Sequence, residues 1–207
     1  MQISEIFRSL QGEGAEIGLP TVFVRTAGCN LRCEWCDTKY GWEDGEEMSV
    51  KEIKEEIEDF SCERVCITGG EPLLQDDLNE LMDLLLPSKH VTVETNGSLS
   101  IKELVDRRVK VSMDYKTPSS QMTEEMDCEN LGLLRKDDQL KFVIADEEDY
   151  EFSSNLLQRN EVGCETIFQP VDNQKIRQIA EWVLDDGLDV RVLPQLHKII
   201  WGDKREV

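Results

Sequence analysis

Short runs of β-branched and other apolar residues recur along this chain, and segments with helical periodicity lie between them. This alternation constrains the fold more than any other feature. The apolar runs are residues 21–27 (TVFVRTA), 64–68 (RVCIT), 90–95 (HVTVET), 109–114 (VKVSMD), 140–145 (LKFVIA), 166–170 (TIFQP) and 190–195 (VRVLPQ). Most are nearly continuous, as in strands buried on both faces of a parallel sheet. Among the intervening segments, SVKEIKEEIEDF opens on a capping box of Ser49 with Glu52. It sets Val50, Ile53, Ile57 and Phe60 along one stripe. SIKELVDR repeats the box with Ser100 and Glu103. DDLNELMDLLLP and NQKIRQIAEWVLDDG are also amphipathic, the second closed by Gly187. Repeated βα units with right-handed crossovers define an α/β fold. About six such units are too few for a complete eight-fold barrel, which needs ~250 residues. The chain therefore reads as α/β, an open or partial (βα)6-type TIM barrel around a parallel sheet. No linker divides it, so residues 1–207 read as a single domain.

In such folds the reactive groups gather at the carboxyl ends of the strands. Here a cysteine cluster follows the first long run, TGGEP the second, ETNG the third, DYKTP the fourth and QP a later one. These polar and glycine-rich elements fall on one rim, and that rim is the expected site.

The cluster is AGCNLRCEWCDTKYGW, residues 27–42, with Cys29, Cys33 and Cys36 spaced C-x3-C-x2-C. Structural zinc takes four protein ligands. A fourth ligand would have to be His90, His197, Cys62, Cys66, Cys128 or Cys164, and none forms a second pair at metal-ligand spacing on a loop. The four remaining cysteines read as small buried apolar residues. A [4Fe–4S] cluster held by three thiolates would instead leave one iron open to a chelating ligand.

Composition removes other classes. Asp and Glu number 44 against 23 Lys and Arg, a formal charge of −21. That surface would repel a phosphate backbone, so nucleic acid is not an expected partner. No apolar run approaches a membrane span, and MQISEIFRSL lacks the pattern of a signal peptide. The expected location is the cytoplasm, where clustered cysteines bind metal more often than they form disulfides.

The C-x3-C-x2-C loop with Trp35 before its last cysteine, followed by TGGEP, resembles the radical S-adenosylmethionine (SAM) superfamily. SLQGEG (residues 9–14), Arg25, CDT (36–38), CITGGEPLLQ, VETNG, Ser112 with Lys116, FQPV (168–171) and QLHK (195–198) further resemble the 7-carboxy-7-deazaguanine synthase family. The resemblance covers nearly the whole chain in order. It implies a radical SAM core with a [4Fe–4S] cluster on Cys29, Cys33 and Cys36. It implies SAM contacts at Trp35, Cys36, Asp37, Gly70, Glu71, Asp114, Tyr115 and Lys116, with Glu71 offering a carboxylate to the methionine ammonium. It implies substrate contacts at Leu10, Gln11, Gly12, Arg25 and Thr68, and magnesium (Mg2+) on Thr38. An arginine suits a carboxylated pterin, because a guanidinium captures carboxylate bidentately.

Two departures stand out. Many relatives read Ser-Pro-Lys where this chain has Asp114, Tyr115 and Lys116, and some end soon after the His-Lys element, where this chain continues as IIWGDKREV. The implied reaction converts 6-carboxy-5,6,7,8-tetrahydropterin to 7-carboxy-7-deazaguanine with loss of ammonia. An adenosyl radical would take the C6 hydrogen and SAM would be regenerated. A flavodoxin or ferredoxin reductant and a homodimer are implied by analogy. One alternative is a small radical SAM activase that acts on a protein glycyl radical site. It shares the cluster and GGE but leaves SLQGEG, Arg25 and QLHK without a role. Another is a non-catalytic zinc or iron–sulfur protein.

Overall fold

The computed structural model describes residues 1–42, 45–107, 109–202 and 204–205. Asp203, Glu206 and Val207, part of the carboxyl-terminal extension, lie outside the described residues. The strands are β1 (Gln2–Leu10), β2 (Pro20–Thr26), β3 (Glu46–Glu47), β4 (Arg64–Gly69), β5 (His90–Thr95), β6 (Lys110–Asp114), β7 (Gln139–Ile144), β8 (Glu165–Pro170) and β9 (Arg191–Val192). The helices are α1 (Val50–Asp59), α2 (Leu78–Leu85), α3 (Lys102–Asp106), α4 (Glu147–Arg159), α5 (Ile176–Asp186) and α6 (Leu196–Trp201). All nine strands form one sheet in the order β3-β1-β2-β4-β5-β6-β7-β8-β9. Among the described residues no pairing joins β3 to β9, so the sheet does not close. The open α/β reading agrees with this architecture.

The sheet is not wholly parallel, which corrects one expectation. From β2 to β9 each neighbouring pair is parallel, but β1 runs antiparallel to both β2 and β3. The apolar residues of QISEIFRSL (Ile3, Ile6, Phe7 and Leu10) do not alternate with period 2, so its pattern did not mark a strand, and Glu5 and Ser9 face the cavity. A bulge between Ile3 and Glu5 brings Glu5 opposite Arg25 on β2. Directly opposed residues share a face, so the bulge sets this ion pair.

The connections also differ from a uniform βα repeat. Between β6 and β7 the chain makes three 3-10 turns in place of an α-helix. Pro118 starts the first turn and Gln121, at φ 62°, ends it in the left-handed region. Helix α4 was not evident from sequence because its buried positions include Asp149, Ser153 and Ser154 rather than an apolar stripe. The run 190–195 narrows to two paired residues, since Pro194 has no N–H for a ladder.

Register separates the faces of the strands. On the outer face Val65, Ile67, Val93, Val111, Met113, Phe142 and Phe168 are buried against the helices, packing with Ile53, Ile57, Leu81 and Ile179. Phe142, Phe168 and Tyr150 meet edge to face, with centroids 5.7 and 5.8 Å apart. The inner face is polar: Cys66, Thr92, Ser112, Gln139, Lys141 and Gln169 are all buried. Both faces are covered, as the apolar runs imply, and the inner one mixes these polar groups with buried Phe23, Val143 and Ile167. Small (βα) barrels pack this space with branched side chains; here it is left partly polar.

Ser49 and Glu52 form the expected capping box, with Ser49 N to Glu52 Oε2 at 2.8 Å and Glu52 N to Ser49 Oγ at 3.3 Å. The second box does not form. Ile101 is the N-cap of α3, and Glu103 accepts from Asn79 Nδ2 at 2.5 Å. Buried Asn130 replaces the cap. Its Oδ1 accepts from Ile101 N at 3.0 Å, and its Nδ2 donates to the carbonyls of Gly97 (3.2 Å) and Leu99 (2.8 Å). Asn130→Ala leaves those backbone groups without partners and should cost about 2–4 kcal/mol. Ser100→Ala should stay within about 0.5 kcal/mol. Urea midpoints compare the two, and equal losses would contradict this assignment of the cap.

Candidate functional site

The polar rim encloses one cavity of about 510 Å³ at the carboxyl ends of the strands. Its wall includes Leu10, Gln11, Gly12, Arg25, Cys29, Cys33, Trp35, Cys36, Asp37, Thr38, Thr68, Gly70, Asp114 and Lys116. Glu71 and Tyr115, also expected at the site, are not on that wall.

The cysteine loop and the TGGEP loop are stapled together. Gly70 N donates to Thr26 O at 3.0 Å, Glu71 N to Gly28 O at 2.8 Å, and Gly28 N to Gly41 O at 2.9 Å. A Cβ on Gly70 would lie 1.9 Å from Gly28 O, so only glycine permits this approach. Glu71 is buried behind the loop. Its carboxylate accepts from Leu73 N (3.0 Å), Asn96 N (2.7 Å) and Thr95 Oγ1 (2.9 and 3.0 Å). It ties TGGEP to ETNG. Burial raises its pKa despite these bonds. Tyr115 packs away from the cavity against Phe142 and Phe152, its hydroxyl 3.2 Å from Cys128 Sγ.

All seven cysteines are free. Cys62 and Cys66 are buried as expected, but Cys128 is exposed and Cys164 only partly covered, which corrects the reading of all four as buried. Among the described residues, the ligand atoms of Glu13, Asp37 and His197 form the one His/Cys/Asp/Glu group mutually within 4.8 Å. Cys29, Cys33 and Cys36 all line the cavity. Burial pushes the Cys29 and Cys33 thiols up, and the Lys116 ammonium opposes this at both. Lys116 Nζ also lies 5.4 Å from the centre of the Trp35 ring, whose Nε1 donates to Ser119 Oγ at 2.9 Å.

At the floor, Gln11 Nε2 donates to Glu94 Oε1 at 3.0 Å and Thr68 Oγ1 to Glu94 Oε2 at 2.8 Å. Gln169 is buried on the wall with neither amide atom hydrogen-bonded among the described residues, and Gln195 Oε1 is likewise unpartnered among them. Such buried orphans are rare and point to a ligand. His197 also lines the wall; a Cβ on Gly12 would lie 2.2 Å from its Nδ1. Thr38 Oγ1 donates to Asp37 Oδ1 at 3.0 Å.

Sequence reasoning missed Glu5, Glu13, Tyr40, Glu94, Lys141, Gln169 and Gln195, all on the wall. The available signal, for Glu94, Lys141 and Gln169, was a polar residue interrupting an apolar run. The chain is strongly acidic, yet the cavity gathers Arg25, Lys116, Lys141, Lys198, Lys204 and Arg205 against Glu5, Glu13, Asp37, Glu94 and Asp114. The cavity is thus nearly balanced in charge, with one cation in excess, where the chain as a whole carries −21.

The centre of this network is Lys141. Its ammonium pairs with Glu13 Oε2 and, at 3.1 Å, with Asp114 Oδ1; Asp114 Oδ2 takes Lys116 Nζ at 2.7 Å. Burial opposes ionisation of Glu13 and Asp114, but the neighbouring ammoniums outweigh it and hold both carboxyls below the usual range. Burial likewise opposes the charge on Lys141, and the same carboxylates raise its pKa well above the ordinary value.

Depressed carboxyls stabilise the fold above their unfolded pKa of about 4 and lose that contribution as pH falls further. Lys141→Met strands the Glu13 carboxylate in a buried site, while Asp114 keeps Lys116, and should cost about 3–5 kcal/mol at pH 8. Without the ammonium, burial raises the Glu13 pKa, so protonation of that carboxylate relieves the variant and its deficit should shrink at pH 5. Urea midpoints at the two pH values test this; a deficit independent of pH would contradict it.

A family profile described as Radical SAM superfamily matches residues 23–129. Over 205 residues the chain is 45% identical to the 7-carboxy-7-deazaguanine synthase of Thermoplasma acidophilum, with 98% of each chain covered. It is 40% identical to the enzyme of the same name from Koribacter versatilis, with 97% of each covered. A structure described as the crystal structure of QueE from Escherichia coli matches with a TM-score of 0.78 at 26% identity, over 95% of this chain and 94% of that one. None of these relatives supports the activase alternative. By full-length identity and by fold, the chain belongs to the 7-carboxy-7-deazaguanine synthase family of the Radical SAM superfamily.

Proposed function

We infer that this chain is a radical SAM enzyme that converts 6-carboxy-5,6,7,8-tetrahydropterin to 7-carboxy-7-deazaguanine with loss of ammonia, a step in 7-deazapurine (queuosine or archaeosine) biosynthesis. One observation carries the reading. The cysteine loop, the GGEP loop and the Arg25 wall line one cavity in a chain that matches synthases of this name from end to end. When bound, a [4Fe–4S] cluster with SAM at its open iron supplies one-electron reduction and hydrogen abstraction.

The residues divide the cavity between two ligands. Cys29, Cys33 and Cys36 would hold the cluster. Lys116 offers its ammonium to the methionine carboxylate and Trp35 its ring to the adenosyl group, with Asp37, Gly70 and Asp114 beside them. Glu71 acts from behind by fixing the loop that carries Gly70, and Tyr115 by packing outside the barrel. Arg25 has no hydrogen bond among the described residues beyond Nε to Glu5, so its terminal amino groups are open to the pterin carboxylate. Leu10, Gln11, Gly12, Thr68, Glu94 and Gln169 present donors and acceptors suited to a pyrimidinone edge. Gln169 supplies one of each to the ring.

Magnesium fits the donor set around Thr38. The Asp37 carboxylate is a hard oxygen ligand beside that hydroxyl, which is the chemistry magnesium prefers, and Asp37 is grouped in turn with Glu13 and His197. The flavodoxin or ferredoxin reductant and the homodimer are supported by family likeness. We read residues 1–207 as one domain because strands from both ends of the chain share the sheet. No described helix is long and apolar enough to cross a membrane. A cytoplasmic location is supported by seven free cysteines.

Anaerobically reconstituted protein given the pterin, SAM, magnesium and dithionite should yield the mass of the deazaguanine. Changing Cys29, Cys33 or Cys36 to Ala should abolish both product and the visible iron–thiolate absorbance. A loaded cluster that cleaves SAM yet gives no product would sink the substrate assignment.

A further inference from the structure

Four segments of the chain converge on one carboxylate. Glu5 lies on the cavity wall with its side chain 3% exposed. Its Oε1 accepts from Arg25 Nε at 2.6 Å and from the Tyr40 hydroxyl at 3.0 Å. Its Oε2 accepts from Arg205 Nη2 at 3.0 Å. The Arg205 guanidinium also stacks on Tyr40, 3.6 Å from the ring centre, and the turn after α6 that carries it lines the cavity through Gly202, Lys204 and Arg205.

The arrangement of donors matters more than the charge alone. An arginine and a carboxylate left to themselves favour a fork-to-fork pair, in which two guanidinium N–H groups meet two oxygens. A pair of that kind between Arg25 and Glu5 would engage the Arg25 groups that a substrate carboxylate needs. Arg205 occupies Oε2, and Tyr40 shares Oε1. Arg25 is therefore confined to a one-point contact through Nε. Glu94, on the same wall, is the other carboxylate that acts on the Arg25 guanidinium. The stack on Tyr40 orients Arg205, which is otherwise half exposed.

We propose that Arg205, in the segment beyond the His-Lys element, is a positioning residue for substrate. By holding Glu5 Oε2 it keeps the terminal amino groups of Arg25 facing the cavity for a carboxylate-bearing ligand. The proposal rests on the reading above that the cavity takes a carboxylated pterin, and its test separates the two.

The test uses reconstituted enzyme carrying cluster and SAM, prepared to equal visible absorbance, with two fluorescent probes: 6-carboxypterin and pterin without the carboxylate. Arg205→Ala should weaken 6-carboxypterin about tenfold while pterin changes by less than about twofold. In turnover, KM for the carboxytetrahydropterin should rise about tenfold with kcat within about threefold. Arg205→Lys should recover part of the loss, since an ammonium can still take Oε2 but lacks the planar fork and the stack. If Arg205→Ala binds both probes like the parent, or loses both equally, the proposal is overturned. A parent enzyme that does not favour 6-carboxypterin over pterin would instead overturn the substrate reading on which it rests.

Discussion

The buried ammonium of Lys141, held between Glu13 and Asp114, ties the loop after β1 to two neighbouring strands. Glu13 comes from the loop after β1, Asp114 from the end of β6 and Lys141 from the middle of β7. Gln195, at the start of α6, donates to the other oxygen of Glu13 at 2.9 Å. A barrel of this size would ordinarily fill its centre with branched side chains. Here the centre is charged, and a buried charge is tolerable only when paired and hydrogen-bonded. The network therefore does two things. It holds the open sheet around its axis, and it keeps the interior from collapsing into an apolar core, which leaves space for ligands.

A second constraint acts at the rim. Glu71 binds TGGEP to ETNG, and the two glycines before it let TGGEP press against the backbone that leads into the cysteines. The three thiols, Trp35 and Thr38 thus stand on a loop braced from two sides. Lys116 reaches this loop from β6 and couples it electrostatically to the Lys141 network through Asp114. The cluster end and the pterin end are consequently parts of one polar system. This suits chemistry in which two ligands must meet at a fixed distance and orientation.

Much of this was legible in the sequence, for identifiable reasons. The strand order along the chain, the rim and the cysteine spacing are local signals, and motif likeness placed Arg25, Thr68 and Lys116 on the cavity before any fold was known. What was not legible depends on pairing at a distance. Glu13 and Lys141 lie 128 positions apart, and neither stands out in a chain with 44 acidic residues. The inner and outer faces of the strands could not be separated, because strands buried on both sides lose the period-2 contrast that marks a half-exposed sheet. Helix α4 hid for a related reason: its buried face uses Ser153, Ser154 and Asp149, which a hydrophobic pattern does not register. The cap of α3 shows the opposite error. Ser100 and Glu103 have the right spacing, but Asn130, far along the chain, competes for the same backbone groups and holds them.

The central claim is that SAM and the carboxylated pterin occupy this one cavity together. Isotope transfer tests it most directly. Substrate carrying deuterium at C6 is turned over anaerobically by the loaded enzyme, and recovered SAM is examined by mass spectrometry. The account predicts deuterium in the adenosyl portion of SAM, because hydrogen leaves and returns between two ligands in contact. Deazaguanine formed with no label in SAM would contradict it.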